Sequence, residues 1–252
     1  MLKLEKKNFR TLKNSRSCTY KEMKKTKIIA TIGPASSDYF TLKGMYKNGM
    51  DIARINTKYG NQEQYENIIR NLKKVDGCKI VFDINSTKKI AWIKKQDFDY
   101  IALSNTSGKE EIKRIRKLFF PKKVKIIAKI ETAEGVKKID EIINESDGVM
   151  VARGDLSKNI SYEKVPIEQK IIIKKSKAKK KFVITATEML LSMMESKSPE
   201  RAEISDIANA IIDGSNAVML SEETAVGQYP ILAVKTMNKT IEYTEKNLNK
   251  LK

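Results

Sequence analysis

Eight short apolar runs rich in β-branched residues recur along this chain: Ile28–Ile32, Ile52–Ile55, Ile80–Ile84, Tyr100–Leu103, Val124–Ile130, Val149–Ala152, Phe182–Ala186 and Ala217–Leu220. Each is too short to be a helix of ordinary length, and most are almost continuously apolar, as strands covered on both faces are. Helix-like patterns fill the gaps at Phe40–Lys47, Gln62–Lys74, Ser86–Lys95, Glu110–Leu118, Thr132–Ile143, Val165–Lys177, Arg201–Asp213 and Ile231–Asn247. Eight strand–helix units in 252 residues predict a single closed (β/α)8 TIM barrel of parallel strands. A doubly wound open sheet is the runner-up. It is disfavoured because Gly33-Pro34 after the first run lacks the GxGxxG spacing of a dinucleotide turn. The barrel is expected over residues 26–252, preceded by a basic arm or short leading helix over 1–25.

Such a barrel carries its chemistry at the C-terminal ends of its strands. Those positions hold Gly33-Pro34, Arg54 with Asn56, Asp83 with Asn85, Ser104-Asn105, Lys129 with Glu131, Arg153-Gly154-Asp155, Thr187, and Ser221-Glu222-Glu223. A purely structural barrel needs only turns there, so this convergence of charged and hydrogen-bonding groups marks an active site. Lys129 and Glu131 are two apart on one strand and share a face. Taken alone they read equally well as a local ion pair.

The chain has no histidine. That excludes Ser-His and Cys-His nucleophile systems and any His-ligated metal. Proton transfer falls to Lys, Asp, Glu, Tyr or water, and a metal would be a hard cation on oxygen ligands, Mg or Mn. Glu131 and Asp155, on neighbouring strands, can share such an ion with substrate oxygens. Arg54, Lys129 and Arg153 supply positive charge suited to phosphoryl oxygens. Gly154 lets backbone amides approach an anion, and Glu188–Met194 reads as a short helix whose first amides would face the mouth. The chemistry expected is phosphoryl transfer or enol chemistry on an acidic, phosphorylated small molecule.

The net charge is +19. The cations are mostly Lys, no stretch interleaves them with aromatics as a single-strand binder would, and the densest run, Lys174–Lys181, reads as a solvated face; nucleic acid is disfavoured as a partner. No apolar run approaches the ~20 residues that span a bilayer, and the N-terminus does not read as a secretory signal. With only Cys18 and Cys78, neither a disulfide framework nor a cysteine-rich metal site is indicated, and the expected compartment is the reducing cytoplasm.

Several segments together resemble the pyruvate kinase family, in family order: Thr26–Ser36, Gly49–Asn56, Lys129-Ile130-Glu131 with Glu134-Gly135, Ser146–Leu156, Ala186–Leu190, Arg201-Ala202-Glu203 and Met219–Ala225. The likeness runs from Thr26 to about Glu242. It implies conversion of phosphoenolpyruvate and ADP to pyruvate and ATP with Mg, as in glycolysis. Glu131 and Asp155 would bind the metal and Lys129 would stabilise the phosphoryl group in flight. Thr187 would sit in the proton relay, Arg54 would touch the phosphates, and the Gly154 and Asp155 amides would hold the substrate carboxylate. The Arg201 region lies at a subunit contact in the family, which implies a homo-oligomer or a hetero-oligomer with a fuller paralogue.

Departures from the family accompany the likeness. The β-rich lid inserted after the third strand is missing: Asp83-Ile84-Asn85 runs straight on to Lys88-Lys89. The arginine of that region falls near Ile90, and the C-terminal domain has no counterpart. At the monovalent-cation site Asn56 and Asp83 remain, Lys58 stands for a serine, Ile84 for a threonine, and Lys88 falls near an acidic position. The expectation is a lysine ammonium in place of potassium, hence no potassium requirement. Tyr59, Glu188 and Glu222 replace a histidine, a glutamine and a glycine. Two further readings follow from the departures: a catalytically impaired relative that binds a full-length subunit, and a lidless enzyme limited to pyruvate enolization.

Overall fold

A computed structural model describes residues 24–251; the expected basic arm lies almost wholly outside them. Eight strands, β1 (Lys27–Thr31), β2 (Ile52–Asn56), β3 (Lys79–Ile84), β4 (Tyr100–Leu103), β5 (Lys125–Ile130), β6 (Gly148–Ala152), β7 (Phe182–Ala186) and β8 (Ala217–Leu220), close into a barrel in sequence order. Every neighbouring pair is parallel, β8 returning to β1 with Ile28 opposite Val218. The expected (β/α)8 barrel is the observed one.

Around it run α1 (Tyr39–Lys47), α2 (Gln62–Leu72), α3 (Ile90–Ile93), α4 (Lys109–Phe119), α5 (Ala133–Lys137), α6 (Ile139–Glu145), α7 (Arg153–Ile160), α8 (Val165–Ala178), α9 (Arg201–Asp213), α10 (Glu222–Ala225) and α11 (Pro230–Asn247). Their starts follow local chemistry. Asp38 accepts from the amides of Phe40 and Thr41 to cap α1, and Asn61 with Gln64 forms a capping box on α2. The helix expected at Ser86–Lys95 shrinks to one turn, α3. An aromatic row packs that unit, with Phe82 meeting Trp92 at 5.7 Å and Phe98 at 5.5 Å between ring centroids. Thr132–Ile143 divides at Lys138 into α5 and α6. The helix expected at Glu188–Met194 is only a 3-10 turn over Leu191–Met194. Its predicted N-terminal amides are replaced by Thr187 and Glu188 in the left-handed region, at φ 71° and 54°. Instead α7 begins directly at the end of β6, with Arg153-Gly154-Asp155 as its first turn, a helix that the expected set did not include.

Alternation along the strands separates two cores. Outward residues such as Ile28, Ile55, Phe82, Ile126 and Val149 pack under the helices in one large cluster. Inward residues Ile29, Ile52, Val81, Ala102, Ile127, Met150, Ile184 and Met219 fill the barrel as a second cluster. Gly148 shows how closely that interior is packed: a Cβ there would lie 2.5 Å from the Phe182 carbonyl oxygen and 2.9 Å from Ile127 Cδ1. Gly148→Ala is therefore expected to lower stability by about 1–3 kcal/mol through overpacking, read as a fall in the midpoint of chemical denaturation.

Candidate active site

The inward period continues past the apolar layer. Two residues beyond Ile29, Ile52, Val81, Ala102 and Ile127 come Thr31, Arg54, Asp83, Ser104 and Lys129, and their side chains form one network at the C-terminal mouth. Asp83 is its centre and is 1% exposed. Its Oδ2 accepts from Arg54 Nε at 2.9 Å and Nη2 at 2.8 Å, and lies 3.2 Å from Lys129 Nζ. Its Oδ1 accepts from Ser104 Oγ at 3.1 Å. Lys129 Nζ also donates to Ser104 Oγ at 3.1 Å and pairs with Glu131 Oε1 at 2.8 Å. Arg54 Nη1 donates to Thr31 Oγ1 at 2.8 Å, and Thr31 donates in turn to the Leu220 carbonyl. The Asn105 amide, at φ 53°, donates to the other oxygen of Glu131. Burial pushes the Asp83 carboxyl up, but the Arg54 and Lys129 charges and their hydrogen bonds outweigh it and hold it below the usual carboxylate range.

Lys129 and Glu131 are thus an ion pair at a strand end, but one of several charges held in a common buried set. Two members escaped the sequence reading: Thr31, and Asp83 as the hub rather than a remnant of a cation site. Both follow from extending the inward period by one step.

Thr187 and Gly154 meet at the far side of the mouth, where the Gly154 amide donates to Thr187 Oγ1 at 2.8 Å. Gly154 and Asp155 lie in the first turn of α7, whose N-cap residue Ala152 supplies no side-chain cap. The positive end of the helix dipole favours an anion here, although the Gly154 amide is already taken by Thr187. Asp155 is exposed and pairs with Lys158 at 3.2 Å. Arg153 turns away from this spot. It donates to the carbonyls of Ala186, Thr187 and Glu188 and pairs with Asp206 on α9. Its contacts brace the Thr187 turn.

The residues expected at a monovalent-cation site separate. Asn56 Oδ1 accepts from the Lys58 backbone amide at 3.1 Å, while the Lys58 ammonium lies 5.5 Å over the Tyr59 ring. Ile84 points into the outer core at 1% exposure. Neither the Lys58 nor the Lys88 ammonium has a hydrogen bond to Asn56 or Asp83 among the described residues. Lys89 is the lysine that reaches this segment, donating to the Thr57 carbonyl at 2.7 Å and to Tyr65 Oη at 3.0 Å. The Thr57 amide and hydroxyl both donate to the Asp83 carbonyl.

Beside Arg54 opens a cavity of about 520 Å³ whose lining includes Pro34, Asn56, Tyr59, Gln64, Ser221 and Glu222. That volume suits a ligand of nucleotide size. Ser221 Oγ is buried without a partner among the described residues, a polar atom left for a ligand or water. No group of three or more Cys, Asp or Glu side chains gathers as a metal cage among the described residues. Glu131 and Asp155 are hard oxygen donors of the kind that hold Mg or Mn when substrate oxygens and water complete the shell. By donor type the two suit such an ion, while in this structure Glu131 meets Lys129 and the Asn105 amide and Asp155 meets Lys158.

A closed parallel barrel with buried opposite charges at its C-terminal mouth has the architecture of a (β/α)8 enzyme. Comparison with known proteins narrows the class. The pyruvate kinase barrel domain matches residues 23–81 and 82–234, and the chain belongs to the pyruvate kinase family. It is 45% identical over 169 residues to a pyruvate kinase of Methanocaldococcus jannaschii, covering 66% of this chain and 38% of the relative. To one of Geobacillus stearothermophilus it is 52% identical over 157 residues, covering 61% and 27%. A Thermococcus litoralis pyruvate kinase aligns over 332 residues at 33% identity, covering 88% of this chain and 70% of the relative. That alignment is longer than the whole chain, so the relative carries internal sequence that this chain lacks. A crystal structure of a Cryptosporidium parvum pyruvate kinase superposes with a TM-score of 0.86 at 27% identity, over 89% of this chain and 70% of the other. The chain spans well under half the length of the first two relatives.

Proposed function

We propose that this chain transfers a phosphoryl group from phosphoenolpyruvate to ADP, giving pyruvate and ATP, with Mg or Mn at Glu131 and Asp155. The observation that carries the reading is the buried Arg54–Asp83–Lys129–Glu131 network beside a cavity of nucleotide size. A divalent ion held there would neutralise charge on substrate phosphoryl and carboxylate oxygens. The chain's own groups supply the rest. Asp83, Ser104 and Glu131 fix the position of the Lys129 ammonium, so it meets a transferring phosphoryl group without reorganising. Arg54 spends one edge on Asp83 and stands in the cavity wall, where phosphate oxygens of the nucleotide would lie. The α7 amides at Gly154 and Asp155 would receive the substrate carboxylate, the Gly154 amide exchanging the Thr187 hydroxyl for it, and the Thr187 hydroxyl would relay to the enol carbon a proton that it regains from water.

The Asp83 charge is matched within the protein by Arg54 and Lys129, and Lys89 adds a cation one residue from Asn56. The reading accordingly includes independence from potassium. It also includes an oligomer, built with itself or a fuller subunit, for which exposed Ile167 and Ile171 on α8 and Ile212 on α9 offer apolar surface.

Glu188 tests where the substrate carboxylate sits. A Cβ on Gly154 would lie 3.4 Å from Glu188 Oε1, so this carboxylate faces the proposed anion position. Glu188→Gln is expected to lower KM for phosphoenolpyruvate about threefold with kcat little changed, an effect of a partly screened charge. Deuterium exchange at the pyruvate methyl, followed by NMR with Mg in potassium-free and potassium-containing buffers, tests the proton half of the reaction. Exchange at equal rates in both supports the reading, and strong potassium activation would refute the potassium-free site.

A further inference from the structure

The period-two rule that delivers charges to the catalytic mouth also runs the other way. Two residues before Ile29, Val81, Ala102, Ile127 and Ile184 come Lys27, Lys79, Tyr100, Lys125 and Phe182, at the N-terminal end of the barrel. A second cavity of about 540 Å³ opens there, with Lys27, Tyr46, Asp51, Lys79, Tyr100 and Phe182 in its wall. The Tyr100 and Phe182 rings stack at 6.3 Å with an interplanar angle of 12°. The ammonium groups of Lys79 and Lys125 each lie 5.9 Å from the Tyr100 ring centre.

The carboxylates at this end are already engaged: Asp99 Oδ2 accepts from the Ile80 amide at 2.9 Å, and Asp147 Oδ2 accepts from the Ile126 amide at 2.8 Å and pairs with Arg116. Asp51, the carboxylate of the cavity wall, is already engaged by Lys24 at 2.8 Å and Lys27 at 3.5 Å, and accepts from the Ile28 amide. Lys79 and Lys125 have no carboxylate partner among the described residues, although they approach the same ring. Two like charges brought to one ring repel each other, and an anion between them would relieve that cost. The surrounding helix-to-strand turns add Lys73-Lys74, Lys122-Lys123 and Lys179-Lys180-Lys181, and their field concentrates anions at the opening. Lysines in those turns are explained by the helix dipole, since helix C-termini favour cations. That explanation does not reach Lys27, Lys79 and Lys125, which are strand residues in the inward register. Nor does a general lysine bias select those positions.

We propose that the N-terminal mouth of the barrel is a second ligand site, separate from the catalytic mouth, for a small phosphorylated molecule carrying a planar ring. Its phosphate is held by Lys79 and Lys125 with Lys27 nearby, and its ring lies against the Tyr100–Phe182 pair. The inference does not depend on the phosphoryl-transfer reading.

Pyridoxal 5′-phosphate has this chemistry and reports its own position. Its aldehyde condenses with a lysine amine, releasing water, and borohydride reduces the imine to a stable secondary amine. With substoichiometric reagent on the full chain, peptide mapping is expected to find label concentrated on Lys27, Lys79 and Lys125. Inorganic pyrophosphate should protect them, and pyridoxal, which lacks the phosphate, should label them roughly tenfold less. The double variant Lys79→Ala/Lys125→Ala, both exposed positions, should keep the thermal midpoint of the wild type and lose about tenfold in binding of the probe measured by equilibrium dialysis. Label spread over exposed lysines such as Lys58 and Lys113, label gathered on Lys129, or no protection by pyrophosphate would overturn the assignment. So would protection by a single-stranded oligonucleotide at far lower concentration than pyrophosphate with a steep salt dependence, which would make this face a nucleic-acid surface instead.

Discussion

Replacing Lys129 by methionine is expected to lower phosphoryl-transfer kcat by at least about 10²–10³-fold, the usual loss when one preorganised charge is removed from a transferring group. The same change leaves Asp83 and Glu131 short of a cation in a site where both are almost fully buried. A stability loss of roughly 3 kcal/mol should therefore accompany it. The two effects are separable because the kinetic loss must persist under conditions where denaturation curves show the variant folded. If the folded variant turned over at the wild-type rate, Lys129 would be a structural cation and the catalytic assignment would fail.

The second large effect is predicted for Asp83→Asn. Asp83 is a counterion of two buried cations, Arg54 and Lys129; Lys129 would keep Glu131, but Arg54 would lose the one carboxylate it pairs with among the described residues. The expected loss is about 3–5 kcal/mol, because an uncompensated buried charge costs more than the pair contributes. In a domain of this size that corresponds to a fall of roughly 10 °C in Tm. The pH dependence carries an independent signature. The Asp83 carboxyl titrates below its ordinary value in the folded chain. Its contribution is therefore fully present above the ordinary carboxylate pKa and is lost as pH falls through the depressed folded value. Wild type should lose stability across that acid window, and Asp83→Asn should lose less there. Equal Tm values at neutral pH would show that the network is not holding the mouth together.

How far the sequence could be read depended on whether a feature was periodic. The eight strands and most helices were legible because apolar alternation and length dictate them. The mouth was legible because its charged groups continue the inward register of β2, β3 and β5 at Arg54, Asp83 and Lys129. What failed was local and irregular. Arg153 looked like a ligand group, but its partner Asp206 lies on a helix 53 residues away, a separation no spacing rule reveals. Thr187 and Glu188 adopt left-handed backbone that residues with a Cβ rarely favour, so the expected helix there dissolves and α7 takes its place beside the anion position. The lysine ammonium that reaches the Thr57 carbonyl belongs to Lys89, since a bend, unlike a strand or helix, gives no rule for which of two neighbours points inward.

The N-terminal mouth shows a different limit. Lys27, Lys79 and Lys125 stand singly at three strand starts, each unremarkable in the linear sequence. Only the closed barrel brings them around one pair of rings. A longer lysine run such as Lys174–Lys181 attracts attention first, yet its charges sit on a helix end and a turn.

The central claim is that the barrel mouth of this chain transfers a phosphoryl group although the chain lacks internal sequence present in its Thermococcus litoralis relative. The measurement that tests it most directly is ³¹P NMR of the purified chain with phosphoenolpyruvate, ADP and Mg. The prediction is growth of the ATP γ-phosphate resonance at the expense of phosphoenolpyruvate, dependent on Mg and abolished in folded Lys129→Met. Phosphoenolpyruvate left unchanged by folded wild-type protein, with and without potassium, would contradict it.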